Sequence, residues 1–242
     1  MILPQLLVCE NFIPRNEVEV LYHYMRDEAE WTQPEHADFS ERQHWQLLAT
    51  EAPPHVDPII KKFRVNKKAA LENFFGETLV QTRRMSFRKW VPGDYQSAHS
   101  DIGRPDGEVM FTQRHSSLSL HHNDFATVTY LNGDFEGGEI YFHHYGVQII
   151  PRPGLMIAFP SSHQYMHGVK PVISGNRYVI TSFWPRARTL VHNLLPSVPT
   201  GWFYDVENVS EVMDMISPED IQRIPEELRP PKEIYDGFQP PE

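Results

Sequence analysis

His99 and Asp101 stand two residues apart in Tyr95-Gln-Ser-Ala-His-Ser-Asp-Ile. On a β-strand that spacing turns both side chains to one face, so an imidazole and a carboxylate can share one ion. His167, in Met166-His-Gly-Val-Lys, would add a third ligand from a neighbouring strand. Two histidines and one carboxylate form the set associated with non-haem Fe(II), which leaves three adjacent coordination positions open. Two of those positions suit a chelating 2-oxo acid and the third suits dioxygen. Arg177 follows across one turn, in Ser174-Gly-Asn-Arg-Tyr, and its permanently charged planar fork suits the distal carboxylate of such a co-substrate. Lys170 is the competing cation, but it lies only three residues past His167. The adjacent pairs His121-His122 and His143-His144 can each present only one imidazole to a given sheet face. They read as structural, as does His163, with His122 retained as a substrate-facing candidate. The single cysteine, Cys9, excludes a disulfide framework and any thiolate-rich metal site.

Elements of the right kind to hold these residues follow from Leu79 onward. Short β-type runs cover Leu79 to Trp90, Ala126 to Leu131, Glu139 to His143, Val147 to Pro151, Leu155 to Phe159, Met166 to Val172 and Tyr178 to Trp184. Turn signals such as Pro92-Gly93-Asp94, Asn132-Gly133-Asp134, Pro153-Gly154 and Ser174-Gly175-Asn176 separate them. That rhythm argues for an antiparallel jelly roll with helices over one outer face. A strand near Leu6 to Cys9 and a helix opened by Pro14, with Val18, Leu21, Met25 and Ala29 at helical spacing, precede it. A second helix is predicted from Asp57 to Phe75. It would bury Ile59, Ile60, Phe63, Ala70, Leu71 and Phe74, offer Lys61, Lys62, Lys67 and Lys68 to solvent, and stop at Gly76.

The 242 residues include 40% hydrophobic and 22% charged side chains, a composition that supports a packed core. With 22 basic against 32 acidic residues the net charge is −10, which disfavours phosphate-neutralising nucleic-acid binding. No apolar run approaches the ~18 residues of a membrane span, and the start Met-Ile-Leu-Pro lacks a signal-peptide pattern. A cytoplasmic location is the expectation. A single domain is expected over 1–242: N-terminal support at 1–78, a β-region at 79–188 and a tail at 189–242. The tail carries the apolar cluster Trp202-Phe203-Tyr204 and a short helix over Val209 to Ile216.

From Tyr95 to Trp184 the chain resembles the Fe(II)/2-oxoglutarate oxygenases of the prolyl-hydroxylase type. The resemblance rests on Pro92-Gly-Asp-Tyr95 before His99-Ser-Asp101 and on Thr129-Tyr-Leu-Asn132 followed by Phe135-Glu-Gly-Gly-Glu139. Pro153-Gly154 with Ala158-Phe-Pro160, His167-Gly-Val-Lys-Pro-Val172 and Gly175-Asn-Arg-Tyr178 complete it. Asp124-Phe-Ala and His-Gly-Val-Lys look nearest the prolyl 3-hydroxylase branch. The resemblance implies a mainly β chain with α support: a double-stranded β-helix, a cupin-like jelly-roll barrel, flanked by N-terminal helices. It implies His99, Asp101 and His167 as iron ligands and Arg177 as partner of the C5 carboxylate of 2-oxoglutarate. Tyr130 and Thr181 are candidates for the same carboxylate.

The implied co-reactants are Fe(II), 2-oxoglutarate and O2, with ascorbate in support, and the implied reaction is hydroxylation of an unactivated C–H bond with succinate as co-product. Retention of Asp101 favours hydroxylation over the halogenation found where that carboxylate is missing. The long 102–123 insertion is expected to act as a substrate lid, with Arg104, Arg114 and His115 as contacts. Arg84 and Arg88 share one strand face, which reads as an outer salt-bridge layer rather than a substrate carboxylate site. The substrate is expected to be a prolyl residue of a peptide, a free amino acid or an amino-acid-derived natural product. A metal-dependent jelly roll without oxygenase activity, whether isomerase, hydrolase or binding module, is the alternative; oligomeric state is not readable.

Overall fold

A computed structural model describes residues 5–32, 45–48, 52–79, 85–101 and 124–186. Its elements in sequence order are β1 (Leu7–Cys9), α1 (Arg15–His23, continued by a π-helical turn over Tyr24–Glu28), β2 (Trp45–Leu48), α2 (Asp57–Phe75), β3 (Met85–Trp90) and β4 (Gln96–His99). There follow β5 (Phe125–Tyr130), β6 (Glu136–Gly137), β7 (Ile140–Phe142), β8 (Val147–Ile149), β9 (Met156–Pro160), β10 (His167–Val169), β11 (Val172–Ser174) and β12 (Arg177–Trp184). The six-stranded sheet runs β1-β9-β5-β12-β3-β2, and a four-stranded sheet runs β4-β10-β7-β8. All pairings are antiparallel. This is the double-stranded β-helix expected from the rhythm of short strands and turns.

Strand alternation divides the large sheet into two functions. Met85 and Phe87 on β3 and Tyr178 and Ile180 on β12 face outward and pack under α1 and α2 with Val18, Leu21, Ile60 and Phe63. Their alternating neighbours Trp90, Val128, Tyr130 and Val179 face the four-stranded sheet and, with Ile140, Phe142 and Phe159, form the core between the sheets. The helices therefore brace the outer face of the sheet whose inner face carries the cavity. No helix among the described residues is long and apolar enough to cross a membrane.

Three expectations need correction. The run Met166 to Val172 is broken, because Lys170-Pro171 ends β10 and β11 pairs with β6 in a separate small sheet. A strand at Trp45–Leu48, not anticipated, pairs with β3 at the sheet edge. On α2, Lys67 and Lys68 are buried and Phe74 is 42% exposed. The helical phase explains the lysines: Phe63, Lys67 and Leu71 recur at four-residue spacing and share the buried stripe. Residues 102–123 and 187–242, with Arg84, lie outside the described residues. So do the expectations for Arg104, Arg114, His115, His121, His122, the Trp202 cluster and the Val209 helix.

Lys67 is fully buried, its Nζ donating to Ser182 Oγ at 3.0 Å and Thr127 Oγ1 at 3.4 Å and lying 4.0 Å from the Phe63 ring centroid. Burial, with Arg64 adding repulsion, holds this amine well below its ordinary value. Thr127 and Ser182 also bond each other at 2.7 Å, and Trp184 Nε1 donates to Ser182 at 3.1 Å, so neither hydroxyl depends on the amine. Lys67→Met is therefore expected to stabilise the fold at pH 7 by about 1–2 kcal/mol. Between the lowered folded value and the unfolded value of about 10.4, the unfolded protein binds more protons, so wild-type stability rises with pH there. The gain from Lys67→Met should shrink from pH 7 to pH 9 in urea unfolding followed by tryptophan fluorescence. A variant destabilised equally at both pH values would contradict this account.

Candidate active site

His99 closes β4 and His167 opens β10, and the two are directly paired across the ladder. Their rings lie 4.5 Å apart. Asp101 is not on the strand: β4 ends at His99, and the backbone turns so that Asp101 N–H bonds Ser161 O at 3.1 Å. The carboxylate nevertheless reaches both imidazoles, with Oδ1 3.5 Å from His99 Nε2 and Oδ2 3.6 Å from His167 Nε2. Each Nδ1 meets a backbone carbonyl two residues earlier, Ser97 at 2.9 Å for His99 and Tyr165 at 3.1 Å for His167. With Nδ1 as the donor, both Nε2 lone pairs are directed at one point, the outer-sphere arrangement that orients metal-binding histidines. One ligand atom from each of the three residues falls within 4.8 Å of the others.

Electrostatics separate the two histidines. Burial works against charge on His99, yet the hydrogen bond and charge of Asp101 outweigh it and raise the imidazole above its ordinary value. Burial brings His167 down to about 4 despite the same carboxylate. Burial alone would raise Asp101, but His167, His99 and Arg88 hold it below the usual carboxylate value. The site thus presents one anion and one readily neutral imidazole, and a cation must displace protons chiefly from His99.

Arg177 begins β12 on the inner face and is 1% exposed. Its guanidinium carbon lies 5.1 Å from the ring centroids of both Trp90 and Tyr130. Burial lowers its basicity, opposed by Tyr130. Within the described protein, no hydrogen-bond partner meets Arg177 Nε, Arg177 Nη1, the Tyr130 hydroxyl or Asp101 Oδ2, all buried. Such groups are costly to bury unpaired, so the cavity lined by Arg177 and Asp101 is built for a polar occupant.

The glycine-rich turn between β6 and β7 has a specific task here. Gly138 has φ +65, and a Cβ there would lie 2.9 Å from Arg177 Cδ and 3.3 Å from Val172 Cγ2. The missing side chain lets the arginine stem pass. Asn132 performs a comparable service: its amide donates to Asn176 O at 2.7 Å and its Oδ1 accepts from Tyr178 N–H at 2.9 Å, pinning the turn that launches Arg177.

The cavity is lined by His99, Asp101 and His167, by Trp90, Arg177 and Thr181, and by Arg88. Thr181 is inward, as spacing from Arg177 predicts, but its Oγ1 accepts from Arg88 Nε at 3.3 Å. Lys170 bonds Gln148, away from the cavity. His143 and His144 are exposed at the β7–β8 turn. Arg88 corrects the expectation of an outer salt-bridge layer, because β3 alternates so that Trp90 and Arg88 face inward while Met85 and Phe87 face the helices. Sequence reasoning does not single out Trp90 either; once its indole is placed inward, counting back by twos finds Arg88 as well.

Residues 85–185 match the family model described as the 2OG-Fe(II) oxygenase superfamily. Over 62 residues, 24% of this chain, the protein is 39% identical to prolyl 3-hydroxylase 1 of Gallus gallus and 37% identical to that of Homo sapiens. It spans only 9% and 8% of those relatives. Among solved structures, a collagen prolyl hydroxylase of Paramecium Bursaria Chlorella virus-1 in complex with 2OG superposes with TM-score 0.54. The match has 18% identity and covers 75% of this chain and 96% of that one. A Trichoplax adhaerens prolyl hydroxylase, solved with a hypoxia inducible factor peptide fragment, gives TM-score 0.55 and 14% identity over 77% and 86% of the two proteins.

The ferrous ion and 2-oxoglutarate that this family implies fit the residues present. Three ligand atoms close together supply the metal site, and a buried guanidinium whose Nε and Nη1 find no partner among the described residues lines the same cavity. Residues 85–185, which carry every group lining this cavity, are similar to the 2OG-Fe(II) oxygenase superfamily.

Proposed function

We propose that this protein is a 2-oxoglutarate-dependent hydroxylase that oxidises an unactivated C–H bond of an amino-acid-derived substrate. The observation that carries the reading is the meeting, in one cavity, of the His99–Asp101–His167 cluster with the buried Arg177, whose guanidinium lies against the Tyr130 ring. A metal site alone would suit many chemistries. A deep cation with unsatisfied donors gives a carboxylate-bearing co-substrate its own seat.

His99, Asp101 and His167 would hold the ferrous ion, and Arg177 with the Tyr130 hydroxyl would hold the distal carboxylate of 2-oxoglutarate. When bound together with dioxygen, this pair supplies an oxidant strong enough to replace C–H by C–OH, releasing succinate and carbon dioxide. The protein contributes positioning and exclusion of water rather than acid–base groups. Phe159, whose ring lies 4.6 Å from His167, and Val128, Val179 and Ile140 give the cavity apolar walls. Ascorbate would support turnover by keeping the iron ferrous. Prolyl residues are a substrate candidate through the structural neighbours, one of which was solved with a peptide fragment.

The test is an anaerobic titration of metal-free protein with Fe(II) and then 2-oxoglutarate. A weak visible charge-transfer band of a chelated 2-oxo acid is expected. Bound iron without that band on adding 2-oxoglutarate would remove the oxygenase reading.

A further inference from the structure

Arg177 opens β12, so its aim depends on the turn before the strand as well as on its pairing with Trp90. One side chain governs that turn. The Asn132 amide donates to Asn176 O at 2.7 Å and accepts from Tyr178 N–H at 2.9 Å. The first of these groups belongs to the peptide unit that precedes the Arg177 Cα, and the second to the unit that follows it. Peptide units are planar, so holding one atom of each restrains both soft dihedrals of Arg177 and with them the direction of its Cα–Cβ bond.

A carboxamide has nearly the same shape either way round, and its partners decide which end is nitrogen. Asp134 decides it here, its Oδ1 accepting from Asn132 Nδ2 at 2.6 Å. The nitrogen therefore gives one proton to Asp134 and the other to Asn176 O, and the amide oxygen faces Tyr178 N–H. Asp134 is exposed and would turn freely in water, but its Oδ2 accepts from the Tyr22 hydroxyl at 2.8 Å. Tyr22 stands on α1, and its ring also meets the Tyr178 ring edge-on at 5.6 Å. Backbone packing closes the arrangement: a Cβ at Gly175 would lie 2.6 Å from Asp134 O, so the turn before Arg177 rests directly on the turn that holds Asp134. Tyr22, Asp134 and Asn132 thus form a hydrogen-bonded path from the N-terminal helix to Arg177, and none of them lines the cavity.

We infer that Tyr22 and Asp134 are positioning residues for the co-substrate: through Asn132 they set the aim of Arg177, and so the affinity for the distal carboxylate of 2-oxoglutarate. The inference rests on the hydroxylase reading and extends its co-substrate site to α1. A brace that only held the fold together would weaken every ligand of the cavity alike, or none. A path that ends at Arg177 weakens the ligand that reaches Arg177.

The test uses the full-length protein loaded with Mn(II), titrated calorimetrically with 2-oxoglutarate and separately with oxalate, which can chelate the metal but has no distal carboxylate to offer Arg177. Tyr22→Phe, which keeps the ring against Tyr178, and Asp134→Ala should each weaken 2-oxoglutarate by about three- to tenfold and change oxalate by less than about twofold. The double variant should bind 2-oxoglutarate within about twofold of Asp134→Ala, because both changes break one path. Asp134→Asn should stay within about twofold of wild type, since its amide can accept from Asn132 and donate to the Tyr22 oxygen. Unchanged 2-oxoglutarate affinity in either single variant, an equal loss for oxalate, or a loss in Asp134→Asn as large as in Asp134→Ala each overturns the inference and leaves the hydroxylase reading standing. Failure of the wild-type protein to bind 2-oxoglutarate overturns that reading and the inference with it.

Discussion

Arg177→Met should weaken 2-oxoglutarate binding by about 100-fold or more while leaving Mn(II) affinity and the ligand-free fold intact. A fully buried guanidinium paired with a carboxylate contributes several kcal/mol on truncation of either partner, because the survivor is left buried and unpaired. Methionine fills the space beside Trp90 and Tyr130, whose ring centroids each lie 5.1 Å from the guanidinium carbon, without introducing a charge. In the ligand-free protein Arg177 is a desolvated cation with two N–H groups lacking partners among the described residues, so its removal should leave the melting temperature equal or higher. Arg177→Lys keeps the charge but loses the planar fork and the flanking stack, and should lie between the two. Calorimetric titrations with Mn(II) and then 2-oxoglutarate, with a thermal melt of each ligand-free variant, read all three quantities. Undiminished 2-oxoglutarate affinity in Arg177→Met would remove Arg177 from the co-substrate site; lost Mn(II) affinity would show instead that the site had collapsed.

What the sequence discloses about this cavity depends on whether a residue's position follows from local chemistry or from phase. Pro92-Gly-Asp94 is legible because its chemistry is local: Asp94 Oδ2 accepts from Val91 N–H at 2.8 Å and closes its own turn. The Gly137-Gly138 pair is equally visible as a motif, although the reason for the second glycine, passage of the Arg177 stem, belongs to the folded protein. Arg88 falls on the wrong face in the sequence reading because an alternating strand can be read in either phase until one residue is anchored. Trp90, opposite Arg177, is that anchor, and only the sheet register reveals it. Lys67 misleads for the corresponding helical reason: a charge within an apolar stripe ordinarily marks the solvated face, but here Thr127 and Ser182 of the sheet below receive it. The spacing of His99 and Asp101 indicates convergence correctly but by a different route, since Asp101 leaves the strand and returns through its bond to Ser161.

Asp101→Ala should reduce Mn(II) and Fe(II) affinity by at least about 100-fold, more than the 10- to 100-fold typical of losing an outer-sphere partner. Asp101 is the one anionic side chain lining the cavity among the described residues, while Arg88 and Arg177 both contribute positive charge. Without it, two neutral imidazoles must hold a dication against the buried Arg177 and the half-buried Arg88 in a medium that screens poorly. The fold itself should suffer little, because Ser161 accepts a hydrogen bond from the backbone N–H of Asp101 rather than from its side chain. Metal-free protein is therefore expected to melt within a few degrees of wild type, whereas the rise in melting temperature on adding Mn(II) should vanish. Formate supplies the deleted carboxylate as a free molecule small enough for the space that truncation leaves. Millimolar formate should restore part of the Mn(II) affinity of Asp101→Ala and leave that of His167→Ala unchanged, since the latter lacks an imidazole. Rescue of neither affinity nor melting shift would mean that Asp101 acts by shaping the cavity rather than by lending its charge to an ion.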